Sequence, residues 1–155
     1  MKRFTRIFSL LVGCQGKCGC GVVITNADVT IYNRVSGNAD NYDVWYKTML
    51  HGVHVYIDHK VMLSDTTLNS ADVYKIRIPA DIAEADRYFT PEEYGANGGN
   101  GYWTIQNGDL IVIGECQKEI KKPADLKMIL GKHCKIMSWS DNRFGTLPHW
   151  RIEGK

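Results

Sequence analysis

Three histidines, His51, His54 and His59, lie close together in this chain, and closely spaced imidazoles are common raw material for a metal site. On an extended strand, however, positions 51 and 54 face opposite ways, so only a bend at Gly52 lets them converge. Surface or interface roles are therefore the expectation for these side chains. Cys14, Cys18 and Cys20 form a C-x3-C-x-C cluster, one thiolate short of a four-ligand zinc site and with no histidine beside it. Cys116 or Cys134 supplies the fourth ligand only if the N-terminal segment folds back. Five cysteines also make an odd number for a disulfide framework, so reduced, non-ligating thiols are expected.

Other chemistry-bearing residues are equally unassembled. Gly95 to Gly101 reads G-x-x-G-G-x-G, but a phosphate cradle needs a strand before it and a helix after it. Here Tyr102 to Gln106 reads as a strand, and no Lys-Ser or Lys-Thr follows. Ser138 and Ser140 flank Trp139 without a nucleophile elbow. Glu92, Glu93 and Glu115 are acids whose separation the sequence leaves open, and the adjacent pair fits a solvated helical turn. Asp141 and Arg143 fit local turn hydrogen bonds, with Asp141 accepting from backbone amides. No catalytic, cofactor-binding or metal-binding set emerges.

The elements that position these residues are mostly strands. Asp28 to Asn33 sets Val29 and Ile31 on one face and Thr30 and Tyr32 on the other. Asp43 to Leu50 and Val53 to Asp58 form either a tight hairpin or one long strand bulged at Gly52. Val53, Val55 and Ile57 share a face, opposite His54, Tyr56 and Asp58. In Asp72 to Pro79, Tyr74, Ile76 and Ile78 alternate with Val73, Lys75 and Arg77. Leu110 to Gly114 is apolar on both faces and should be the most buried strand, covered on each side. Asn107-Gly108 predicts a turn across which Tyr102 to Gln106 pairs with that strand. Ile136 to Ser140, a turn cluster, and His149 to Glu153 make a closing strand-turn-strand with Trp150 packed inside and His149 outward. Pro123 to Leu130 predicts two or three helical turns, stopped by Gly131. Thr90 caps a shorter turn at Pro91 to Glu93. Leu63 to Ala71 and Glu93 to Gly101 read as loops, the second mobile.

These elements predict a mainly β fold: a small antiparallel barrel or two-layer sandwich of six to eight strands with one short helix. The chain has 155 residues, 44% hydrophobic and 23% charged, which fits one globular domain over residues 24–155. A net charge of +2 gives no concentrated basic face for dedicated nucleic-acid binding, and no apolar run reaches bilayer length. Residues 1–23 read as a flexible N-terminal extension. Lys2, Arg3 and Arg6 precede a short apolar run, and Leu11 to Cys14 formally matches a lipidation site. An arm, a lipoprotein-like signal and an early-assigned start all stay open.

With ITNADVTIYN, ADVYKIRIP, NGDLIVIGE, KPADL and SWSDNRFG…HWRIEGK on the page, the chain resembles a family of proteins of unknown function from tailed bacteriophages and from prophages of Gram-positive bacteria. The resemblance covers roughly Ile24 to Lys155. It implies a small structural component of the head–tail junction, of the stopper, head-completion or minor-capsid type, in the virion neck and in host cytoplasm during assembly. Such proteins are often small β-barrels forming homo-oligomeric rings between connector or portal and tail proteins, with weak DNA contact in the channel and no membrane. Ring subunits need two different contact faces. The candidates are His54, Tyr56 and Asp58; Lys75 and Arg77; Asn97 and Asn100 on the glycine-rich loop; and His149. A tail-terminator or tail-completion subunit, and an exported small-ligand-binding barrel anchored through Cys14, are the alternatives; a hydrolase with loop-assembled acids or histidines is the third.

Overall fold

The computed structural model describes residues 24–37, 42–64, 67–97, 99–129 and 131–155. The extension, with Cys14, Cys18 and Cys20, lies outside them. Among the described residues there are eight strands: β1 (Ala27–Val35), β2 (Val44–Asp58), β3 (Val61–Ser64), β4 (Thr67–Ser70), β5 (Val73–Pro79), β6 (Leu110–Ile113), β7 (His133–Asp141) and β8 (His149–Gly154). Six of them close an antiparallel barrel in the order β1-β2-β5-β8-β7-β6, and β3 and β4 form a separate hairpin. The fold is mainly β, with one short α-helix, α1 (Pro91–Asn97), and 3-10 turns at Ala85–Arg87 and Pro123–Met128.

The period-2 patterns explain the walls. Val29, Ile31, Ile76, Ile78, Ile111, Ile136 and Ile152 point into one core and are all at most 1% exposed. The long β2 serves two neighbours: Val44 to Leu50 pair with β1, and His54 to Asp58 pair with β5. Of the two readings of this segment, the single bulged strand is the one found. Gly52 has φ +70, and the register against β1 shifts beside it. The bulge changes the inward phase, so Leu50 and Val53 are both fully buried.

The end of the barrel is filled from the β5–β6 connection. Trp103 and Ile105 join the core, and Ile82, Ala85 and Tyr88 pack against it. Trp103 meets Trp150 edge-on at 5.2 Å, and Tyr88 lies 4.6 Å from Trp150. Outside the barrel, Tyr32, Leu110 and Val112 form a second cluster with Cys116, Ile120 and Leu126. The doubly apolar β6 is thus covered on both faces, as its composition requires.

Several local expectations are corrected. Tyr102 to Gln106 forms no hairpin with β6. Trp103 makes an isolated parallel bridge to Tyr88, and the buried Asn33 side chain pairs with both backbone groups of Thr104. The Asn107-Gly108 turn itself is present, closed by Asp109 N–H donating to Gln106 C=O at 3.2 Å. The segment read as a mobile loop from Glu93 is helical as far as Asn97, because Thr90 and Glu93 cap α1 reciprocally. Leu63 to Ala71 holds the β3–β4 hairpin instead of a plain loop. The Pro123 segment is 3-10, ends at Met128, and is held at its start by Asp125, which accepts from Lys121 and Lys122 N–H.

Candidate functional site

The outer face of β2, β5 and β8 gathers most of the contact candidates. Cross-strand register places His54 opposite Arg77, Tyr56 opposite Lys75, and Pro79 opposite His149. The Tyr56 ring lies 5.7 Å from Lys75 Nζ and 5.8 Å from the Arg77 guanidinium carbon. Asp58 pairs with Lys60 at 3.2 Å and Lys75 at 3.5 Å, and the Lys60 hydrogen bond, followed by both ammonium charges, holds its carboxyl below the usual range. An open groove of about 450 Å³ runs along this face, lined by Ile24, His54, Arg77, Asn142, Leu147, His149 and Arg151. Its ionisable lining comprises Arg77, Arg151 and two imidazoles, with Ile24 and Leu147 supplying apolar surface.

At the turn between β7 and β8, Asp141 accepts from Arg143 N–H, as the sequence implied, and also binds the guanidinium bidentately. That guanidinium lies 4.9 Å from the Trp150 ring and 5.1 Å from the Tyr88 ring. This pair anchors a turn against the aromatic core, while Phe144 in the same turn is 93% exposed.

A second group of ionisable side chains was not legible as a cluster. The Gly52 bulge puts His51 and His54 on the same outer side, contrary to simple alternation, yet they join different groups. His51 Nδ1 lies 2.7 Å from Glu84 Oε1, and its Nε2 lies 3.9 Å from Glu115 Oε1. Asp28 completes the set: one ligand atom each of Asp28, His51 and Glu115 lie within 4.8 Å of one another. Glu84 is only 5% exposed. The hydrogen bond to Glu84, then the charges of Glu84, Asp28 and Glu115, raise the His51 pKa above its ordinary value. The group borders an open cleft of about 320 Å³ whose lining includes Lys47, Arg87 and Asn100.

Of the remaining candidates, Asn97 is exposed at the end of α1, and His59 pairs with Asp72 at 3.2 Å. Cys116 and Cys134 are buried free thiols, and burial pushes Cys134 up to about 12. Neither is placed as a reactive nucleophile. No helix among the described residues is long and apolar enough to cross a membrane.

Fold and surface together define a small closed antiparallel β-barrel whose polar side chains concentrate on an outer strand face and at one bulge. The chain belongs to the family of unknown function DUF6751, whose model matches residues 24–155. No curated protein and no solved structure matches it.

Proposed function

We propose that this protein is a non-enzymatic structural subunit of a tailed-bacteriophage virion, a head-completion or stopper-type component that forms a homo-oligomeric ring at the head–tail junction. The observation that carries the reading is the outer face of β2, β5 and β8, which carries His54, Tyr56, Asp58, Lys75, Arg77 and His149, with His54, Arg77 and His149 lining one open groove. A broad, open face of mixed charge and aromatic surface suits a neighbouring subunit better than a small substrate, which favours an enclosed pocket. The phage setting rests on the resemblance carried by the strand and turn motifs.

A ring needs a second, different surface to meet that groove. The β3–β4 hairpin offers one, since Val61, Met62 and Leu63 are 66%, 61% and 85% exposed in succession. Three adjacent exposed apolar residues on a hairpin outside the barrel sheet fit docking onto a neighbour. Connector or portal and tail proteins are the expected partners above and below the ring, with channel DNA touched only weakly.

Light scattering coupled to gel filtration, followed by negative-stain microscopy of the full chain, tests the reading. A discrete ring is expected, reduced to folded monomer by Arg77→Glu. A wild-type chain that stays monomeric, including with its neck partners, would sink it.

A further inference from the structure

We propose that Asp28, His51 and Glu115 form a binding site for a divalent first-row transition cation, with Glu84 as the positioning residue for the imidazole. The site goes beyond the ring reading and does not depend on it. Three adjacent barrel elements converge there: Asp28 lies on β1, His51 on the β2 bulge, and Glu115 just after β6. Their ligand atoms already lie within 4.8 Å of one another. Metal–ligand bonds of about 2.0–2.2 Å place neighbouring ligands nearer than that, so closure is needed. Glu115 is exposed and can rotate to supply it.

Glu84 supplies the second and independent observation. Its side chain is buried, one oxygen meets His51 Nδ1 at 2.7 Å, and the other oxygen is buried with no hydrogen-bond partner. A buried carboxylate is costly unless something positive or a donor satisfies it. A carboxylate accepting from one imidazole nitrogen, with the other nitrogen turned to further carboxylates, is the second-shell arrangement that fixes the tautomer of a metal-bound histidine. Nε2 is the nitrogen turned toward Glu115.

The donor set selects the ion. One imidazole with two carboxylates suits manganese or zinc better than calcium or magnesium, which take oxygen alone. Asp28 already spends one oxygen on Gly52 N–H, and its C=O accepts from Gly114 N–H at 2.7 Å. A bound ion therefore clamps β2, β1 and the end of β6 together. Its role is structural, with no bond made or broken.

Mn²⁺ is the probe, because Cys14, Cys18 and Cys20 compete for zinc but attract the harder ion weakly. Loss of the free-ion electron paramagnetic resonance signal, measured on the full chain, counts bound manganese. One equivalent is expected, together with a rise in melting temperature on adding Mn²⁺. Glu115→Gln and His51→Ala should abolish both effects. Glu84→Gln keeps an acceptor for Nδ1 but lacks the charge, and should weaken binding by about 10–100-fold. Should His51→Ala fail to fold, the exposed Glu115→Gln decides alone, its metal-free melt matching wild type. No manganese uptake by the wild-type chain, or uptake that Glu115→Gln leaves unchanged, overturns the site.

Discussion

The Asp28 carboxylate accepts a hydrogen bond from the backbone N–H of Gly52 at 2.9 Å, tying β1 to the one position where β2 changes phase. That contact fixes a left-handed residue, with φ +70, and an added Cβ there meets nothing within 4 Å. The cost of Gly52→Ala is therefore conformational, not steric. It should destabilise the fold by about 1–2 kcal/mol. Urea unfolding checks this, and the slope with denaturant should not change, because the buried surface does not.

Asp28 and Gly52 also mark how far sequence alone could reach. Alternation located β5 and β8 because each buries one face. It located β1 by the alternation of Val29 and Ile31 with Thr30 and Tyr32, although the fold buries both of its faces, and it identified β6 because both of its faces are apolar. It left β2 as two alternatives, since a glycine between two alternating runs serves a turn and a bulge equally well. The Tyr102 to Gln106 error has a different cause. The partner of Thr104 is the Asn33 side chain, far away in sequence and buried by the fold, and no local pattern announces it. The Asp28, His51, Glu84 and Glu115 group was hidden for the same reason. Its members sit in unrelated segments that only barrel closure brings together. The outer-face candidates were easier, because His54, Tyr56, Lys75 and Arg77 are the polar halves of readable strands.

Asp109 makes stability depend on pH in a direction opposite to the surface carboxylates. Burial raises its pKa to about 6, despite hydrogen bonds from Arg34 N–H, the Asn33 amide and the Gln106 amide. The folded pKa exceeds the unfolded one, so this group's contribution is full below about 4 and is lost as pH rises through about 6. The loss should amount to roughly 3 kcal/mol at most. The lowered carboxyls of Asp58, Glu93, Asp125 and Asp141 lose their stabilising contributions on acidification. Comparing wild type with Asp109→Asn by chemical unfolding isolates the buried group. The difference between the two proteins should shift in favour of wild type as pH falls from 7 to 4, with Asn33→Ala destabilising at both ends.

Gly154 is required by space. A Cβ there lies 2.6 Å from Cys134 Sγ, inside any normal contact, and a tight 3.0 Å from the Lys135 carbonyl oxygen. Gly154 pairs with both Tyr74 and Ile136, so the strand cannot move away without loosening two ladders. Gly154→Ala should cost about 1–3 kcal/mol as an overpacking change. Adding Cys134→Ala removes the sulfur but leaves the carbonyl, so the double variant should recover part of the loss. Additive losses in a thermal-melt cycle would show that the sulfur contact is not the cause.

The two faces of β6 separate barrel core from outer cover. Ile111 is fully buried in the barrel interior, whereas Val112 is 3% exposed beneath the segment carrying Cys116, Ile120 and Leu126. Ile111→Ala leaves a cavity among residues drawn from all six barrel strands, and should cost about 2–5 kcal/mol. Val112→Ala removes less volume, from a layer that includes a short 3-10 turn and can settle inward, so its cost should be smaller. Ile111→Asp should abolish folding outright, because an unpaired charge there has neither water nor a partner. Circular dichroism and urea melts of the three variants order the effects. A folded, soluble Ile111→Asp protein would mean that β6 is not the buried wall of the barrel, and the closure that creates the outer contact face would fail with it.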